Sequence, residues 1–148
     1  MKTVHTEIGV MAPADVVWAT LTDFASWEKW NPIIKVSGRL APGERLSVTV
    51  APPGQKPRTL VTRIVKLEEG REFRWSGGLP VPGIFNGEHG FRVVPEDTGR
   101  CRFEQFETFS GLMAGSFLAR NGKAMETGFT AMNRMLKREA ERRARESA

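Results

Sequence analysis

The stretch from Leu112 to Ser147, LMAGSFLARNGKAMETGFTAMNRMLKREAERRARES, decides the fold. No proline follows Pro95, and apolar residues at Leu118, Met125, Met132, Met135 and Leu136 recur at three- to four-residue spacing. That periodicity predicts one helix, about 50 Å long at about 1.5 Å per residue. A helix of that length cannot bury its stripe alone, so it needs a wide apolar partner surface. Asn121 and Gly128 fall within the same stripe, where a closely packed helix would carry larger apolar residues. Gly128 costs about 1 kcal/mol relative to alanine, which asks for a reason such as close approach or a bend.

The residues before this helix supply a sheet. Thr3 to Val10 alternates as a first strand. Pro13 and Asp15 then suit the first turn of a short helix through Leu21. Thr22 or Asp23 is positioned to cap a second helix, Phe24 to Lys29, which Asn31-Pro32 ends. Two short helices joined so tightly form a V that can cradle the end of a longer one. From Ile33 to Phe109 the period becomes two, with strands expected at Ile34 to Leu40, Arg45 to Val50, Arg58 to Leu67 and Glu72 to Ser76. Loops are expected at Ala51 to Pro57 and at the Gly- and Pro-rich connection through Gly77, Gly78, Pro80, Pro82 and Gly83. The last two strands, Glu88 to Val94 and Arg100 to Phe109, form a hairpin. The whole chain, residues 1–148, reads as one α+β domain.

The hairpin carries the candidate site. Its turn, Asp97-Thr98-Gly99, has a glycine where a three-residue loop takes a left-handed residue, which pairs Glu96 with Arg100. Val94 then lies opposite Arg102, Phe91 opposite Gln105 and His89 opposite Glu107. Alternation turns His89, Gln105 and Glu107 inward with Phe91 and Phe103, and Glu88, Arg92, Arg102 and Glu104 outward to solvent. A buried polar group left unpaired costs about 1–3 kcal/mol. His89 and Glu107 therefore satisfy one another as a structural pair, meet the polar head of a ligand, or act as a general acid/base pair. Trp18 and Trp75 are expected to pack, and Trp27 and Trp30 to stand at a pocket mouth. Met113, Met125, Met132 and Met135 offer adaptable apolar surface, as core filling or as a pocket wall.

Composition narrows the function classes. The chain is 40% hydrophobic and 26% charged, ordinary for one globular domain of 148 residues. No run of eighteen apolar residues and no apolar N-terminal core is present, so no transmembrane segment is expected and the cytoplasm is the default location. Cys101 is the single cysteine, and His5 and His89 are the only histidines. No disulfide, metal site or other cofactor is therefore expected. The net charge is +5, with Lys137, Arg138, Arg142, Arg143 and Arg145 near the end of the long helix. Glu139, Glu141 and Glu146 interleave them, which reads as a solvated, frayed helix end. Because the aromatic residues fall on inward faces and these cations are neutralised, nucleic-acid binding is not expected. Monomer and homodimer both remain open.

Several motifs together resemble a known group: Trp27-Glu-Lys-Trp-Asn-Pro32, Phe73-Arg-Trp75, Pro82-Gly-Ile-Phe85 leading to Gly87-Glu-His-Gly-Phe91, Arg102-Phe103, and Glu107-Thr-Phe-Ser-Gly111. Over nearly its whole length the chain resembles the START/Bet v 1-type superfamily (the SRPBCC group), and within it small bacterial polyketide cyclase/dehydrase-like proteins. The resemblance implies a helix-grip fold. In that fold a curved, antiparallel, seven-stranded sheet wraps a long C-terminal helix, two short helices follow the first strand, and a hydrophobic cavity is enclosed. Members bind lipids, sterols, hormones, quinones or polyketides, and some are enzymes. Aromatase/cyclase members use polar cavity residues that include arginine and tyrosine, and this sequence contains no tyrosine.

Three functions follow as expectations. The first is binding of a small hydrophobic molecule (a lipid, a quinone or an aromatic polyketide-like compound) as carrier or sensor. Its wall would comprise Trp75, His89, Phe91, Phe103, Gln105 and Glu107 from the sheet and Asn121, Met125 and Gly128 from the helix, with Trp27 and Trp30 at the entrance. The second is a cyclase or dehydratase with His89 and Glu107 as the acid/base pair. The third is a lipid or quinone chaperone docking through the basic helix end.

Overall fold

The structure, a computed structural model, describes residues 2–51, 54–78 and 81–147. Pro52 and Pro53 of the expected first loop, and Pro80 of the second, lie outside the described residues. Strand β1 (Lys2–Val10) is followed by helix α1 (Ala14–Thr22), a 3-10 turn at Phe24–Ser26 and the single-turn helix α2 (Trp27–Trp30). Six strands come next: β2 (Ile34–Ser37), β3 (Arg45–Val50), β4 (Arg58–Glu68), β5 (Glu72–Gly78), β6 (Asn86–Asp97) and β7 (Arg100–Ser110). Helix α3 (Ala114–Ser147) ends the chain. The strands form one seven-stranded sheet in the order β1-β7-β6-β5-β4-β3-β2, and the paired strands are antiparallel. With α3 held against β1, β7 and α1, this is the helix-grip arrangement. No helix among the described residues is long and apolar enough to cross a membrane.

Several boundaries differ from expectation for local reasons. Strand β2 stops at Ser37 because Gly38 turns the chain at φ 131, where a Cβ would lie 2.7 Å from Leu46. Gly77 and Gly78 extend β5 instead of opening the connection, pairing with Gly87 and Asn86 of β6, and a Cβ on Gly78 would lie within 3 Å of Phe85 and Asn86 backbone atoms. Pro13 stands one residue before α1, and neither Thr22 nor Asp23 makes a side-chain cap. Thr22 instead bonds back to the Trp18 carbonyl at 2.8 Å.

The V of short helices holds the second half of α3, as its shape suggests. Leu136 and Ala140 are fully buried against this region, Arg143 Nη2 donates to Ser26 Oγ at 3.0 Å, and the Met11 amide donates to Glu141 at 2.8 Å. The end of α3 is therefore not the frayed tail that its charge run suggests. It is helical to Ser147, and Lys137, Arg142 and Arg143 pair with Glu139, Glu141 and Glu146 along it.

The outer face of the sheet also departs from simple alternation. Glu104, expected in solvent, is buried, as is Glu72. Arg92 bridges them, Nε to Glu72 at 2.9 Å and Nη1 to Glu104 at 2.8 Å, and Arg74 and Arg102 complete the network. Burial pushes the Glu72 carboxyl up, but hydrogen bonds from Arg92 and Arg74 outweigh it and hold the group below 4.5. Phe106 is buried beneath Arg74 and Arg92, whose guanidinium carbons lie 5.1 and 4.8 Å respectively from its ring centroid.

Candidate functional site

The β6–β7 hairpin sets the geometry. A bulge at Glu96 separates Pro95↔Cys101 from Asp97↔Arg100, so the expected Glu96–Arg100 pair does not form, and Gly99 is not left-handed. Beyond the bulge the register is the expected one, with Phe91 opposite Gln105 and His89 opposite Glu107. His89 and Gln105 are buried on the concave face. His89 Nδ1 lies 3.4 Å from Glu107 Oε1, and its Nε2 lies 2.9 Å from Gln105 Oε1. The imidazole is packed among aromatic rings, with Phe91 at 4.5 Å, Phe129 at 4.8 Å and Trp75 at 5.2 Å between centroids.

These surroundings set the protonation states. Burial lowers His89 to about 4, only partly opposed by its hydrogen bond to Gln105, so the ring is neutral at pH 7. Burial raises Glu107 from 4.5 to about 7. Glu107 has no lysine or arginine partner among the described residues. Its Oε2 rests above Gly87, where a Cβ would lie 2.5 Å from that oxygen and 3.2 Å from the Phe109 ring. The missing side chain at Gly87 is what gives the carboxyl its space.

Above Glu107 stands a second apolar cluster. Val4, Phe109, Ala114 and Phe129 form its buried part, and Phe85, Phe117, Leu118 and Met125 pack on it while remaining half-buried. The inward stripe in the first half of α3 (Phe117, Leu118, Asn121, Met125, Gly128) is thus half-exposed, whereas Met132 and Leu136 farther along are closed off. Asn121 bonds to the Phe117 carbonyl one turn back at 3.0 Å. A Cβ on Gly128 would touch nothing within 4 Å, so close approach does not explain that glycine.

The structure divides the expected wall. Trp75, His89, Gln105 and Glu107 come together, with Asn121, Met125 and Gly128 on the facing helix stripe. Phe91 and Phe103 are fully buried in the packed core behind them. Trp27 is no gate: it is fully buried, donates its indole N–H to the Leu21 carbonyl at 2.9 Å, and packs edge-on against Phe24 and Phe91. Trp30 lies half-buried beside it, 5.6 Å between centroids.

Sequence reading missed Thr6, Asn133 and Gly87. Asn133 and Thr6 are buried and joined to Gln105 by hydrogen bonds. The available signal was Asn133 itself, a polar residue one turn after Phe129 and three before Leu136 on the buried face of the helix.

Two depressions in the surface do not correspond to the enclosed cavity that the fold resemblance implies. A depression of about 710 Å³, lined by residues such as Arg45, Arg63 and Ser76, and one of about 220 Å³ beside Glu72 and Arg92 both lie mainly on the outer side of the sheet. Between sheet and helix the Trp27 end is filled by core, and at the other end Phe85, Phe109 and Phe117 pack ring against ring while Phe117, Leu118 and Met125 stay half-buried. Among the described residues no three His, Cys, Asp or Glu side chains converge to hold a metal ion. Cys101 is fully buried and pushed up to about 11 by burial and by Glu96, so it offers no nucleophile at neutral pH.

Comparison with known proteins agrees with this architecture. No protein of curated function matches the chain by sequence. Among solved structures, it is similar to the Zhui aromatase/cyclase from Streptomyces sp. R1128, with a TM-score of 0.74 and 21% identity over 96% of this chain and 94% of that one. It is also similar to a START superfamily protein from Mycobacterium smegmatis, with a TM-score of 0.66, 19% identity and 99% coverage of both chains. A third similar structure is the di-domain aromatase/cyclase BexL of the BE-7585A biosynthetic pathway, with a TM-score of 0.77 and 19% identity. There 95% of this chain is covered but only 47% of the other, so this chain spans about half the length of BexL. At these identities the likeness speaks for the fold. The family model described as "Polyketide cyclase / dehydrase and lipid transport" matches residues 1–142, and the chain belongs to that family.

Proposed function

We propose that this protein binds a small hydrophobic molecule carrying one polar group, as a carrier or sensor. The ligand's apolar body lies between the first half of α3 and the sheet, and its polar group meets Glu107 and His89. The observation that carries this reading is a contrast within one sheet. On the outer face, the buried carboxylates Glu72 and Glu104 are each neutralised by arginines. On the inner face, Glu107 borders a half-exposed apolar stripe and has only a neutral imidazole beside it. A purely structural carboxyl gains nothing from that environment, whereas a ligand-binding one uses it. Family membership supports the same reading, since its description includes lipid transport.

One observation favours a second reading, a cyclase or dehydratase. A carboxyl near 7 beside a neutral imidazole is suited to moving protons at neutral pH. The similar Zhui and BexL structures are of aromatase/cyclases. Docking through the basic helix end has less support, because Lys137, Arg142 and Arg143 are already engaged by glutamates of the same helix.

Native mass spectrometry of the purified protein, followed by denaturing extraction, tests the binding reading. A stoichiometric apolar molecule is expected, with lower occupancy in Glu107→Ala and His89→Ala. A compound that comes back with altered mass after incubation favours the enzyme instead. Nothing copurifying, together with no thermal shift from 2-naphthol, menadione or palmitoleate, overturns both.

A further inference from the structure

Glu107 and His89 are the inner end of a longer chain of hydrogen bonds whose direction can be worked out atom by atom. Gln105 Nε2 lies 2.8 Å from Asn133 Oδ1 and 3.4 Å from the Phe129 carbonyl. Asn133 Nδ2 lies 2.9 Å from Thr6 Oγ1, and Thr6 Oγ1 lies 2.9 Å from the Gln105 backbone carbonyl. Two groups anchor the polarity. The Phe129 carbonyl only accepts, so the Gln105 atom facing it must be the amide nitrogen. Thr6 has one hydroxyl hydrogen and gives it to the Gln105 carbonyl, so it accepts from Asn133. Reversing the chain would set Gln105 Oε1 against the Phe129 carbonyl and would take the hydrogen that Thr6 already donates.

With that direction assigned from the network, Gln105 Oε1 faces His89 and must receive a hydrogen from Nε2. In the neutral ring Nδ1 is then a bare lone pair, and it faces Glu107 Oε1 at 3.4 Å. An ionised carboxylate there would oppose lone pair to charge. A carboxylic acid would donate through Oε1, leaving Oε2, above Gly87 and near the Phe109 ring, as a carbonyl-type acceptor.

We propose that Thr6 and Asn133 are positioning residues that lock the His89 tautomer through Gln105, keep Glu107 as a neutral acid, and so make the site select ligands with a neutral hydroxyl donor, such as a phenol or enol. This rests on the binding reading for its ligand half only, because the tautomer is a property of the free protein. The lock also favours a hydroxyl over two close relatives of it. An ether or ketone brings a second acceptor to Oε2, and a carboxylate brings a charge against an apolar cluster without a cation.

The test has a ligand-free arm and a ligand arm. In protein with ¹⁵N-labelled imidazoles, only His5 and His89 give signals, and a His5→Gln variant separates them. The expected result is His89 protonated at Nε2 and bare at Nδ1 near pH 6.5. Thr6→Val, which removes the hydroxyl at constant shape, is expected to mix the tautomers, and Thr6→Ser to restore the single one. In the ligand arm, 2-naphthol is expected to bind about five- to tenfold more tightly than 2-methoxynaphthalene or 2-naphthoate. That preference is expected to shrink in Thr6→Val and return in Thr6→Ser. A wild-type His89 carrying its hydrogen on Nδ1 overturns the lock, as does an unchanged tautomer and unchanged ranking in Thr6→Val. Should Thr6→Val not fold, Thr6→Ser and the wild-type spectrum still decide it. Equal affinities for the three probes overturn the selectivity, and no binding by any of them overturns it together with the binding reading while the spectrum still judges the lock.

Discussion

Replacing Glu107 by glutamine should make the protein more stable at alkaline pH and leave it unchanged at acid pH. Burial raises the Glu107 carboxyl from 4.5 to about 7, so between those values the native state binds more protons than the unfolded chain. Stability is therefore fully present below 4.5 and lost as pH rises through 7. That interval corresponds to about 3 kcal/mol. His89 works in the opposite sense. It is depressed from 6.5 to about 4, so its contribution is present above 6.5 and lost as pH falls towards 4. In the wild type the two slopes nearly cancel between 4.5 and 6.5, giving a flat profile that conceals both groups. Among the described residues no other charge intervenes from the packed elements. The α3 stripe presents apolar residues and Asn121, β5 and β6 present Trp75 and Gly87, and on this face of β1 only the exposed Lys2 is charged. Glutamine mimics the protonated acid. Urea denaturation at pH 4.5, 6 and 8 should therefore show equal stability at the lowest pH and a variant about 3 kcal/mol more stable at the highest. A difference that is the same at all three pH values, or a variant less stable at pH 8, would refute the reasoning.

Other substitutions probe the frame that holds the site. Gly90→Ala places a Cβ 2.3 Å from the Phe106 ring, under the Arg74 and Arg92 guanidiniums, and should cost about 1–3 kcal/mol in denaturant unfolding. Leu136→Ala empties a fully buried position between α3 and the core and should cost about 2–5 kcal/mol. Glu72→Gln removes one charged acceptor from each of Arg74 and Arg92, leaving them Glu88 and Glu104, and should cost about 2 kcal/mol at pH 7 by the same assay. Because the Glu72 carboxyl is held below 4.5, that loss should diminish as pH falls and the wild-type carboxylate is itself protonated.

How far the sequence carries the reader depends on whether a feature is periodic or requires strands to be aligned. Helix α3 and the β6–β7 hairpin are periodic, and both stand where their patterns put them. The inward register of His89, Gln105 and Glu107 survives a mistaken turn for a definable reason. A three-residue loop, and a two-residue loop followed by a one-residue bulge at Glu96, bring the same residues opposite one another from Pro95 onward. The burial of Glu72 and Glu104 is not periodic: it exists only once β5, β6 and β7 set Glu72 opposite Arg92 and Arg92 opposite Glu104. Trp27 reads as a pocket-mouth residue because it stands near the end of the second short helix, yet the single turn of α2 folds its indole under Phe24 and Phe91. Asn133 and Thr6 lie far apart in the chain, and only the closure of α3 onto β1 makes them partners.

A hydrophobic ligand between the first half of α3 and the Glu107–His89 pair would be reported by methionine methyl NMR. Met125 packs on the apolar cluster beside Glu107, Met132 is sealed in the main core, and Met11 is exposed at the opposite end of β1. With ¹³C-methyl methionine, titration with 2-naphthol should move the Met125 signal at pH 6 while leaving Met132 and Met11 in place. Saturable shifts at Met11 or Met132 with Met125 unmoved would contradict the account and put the ligand elsewhere.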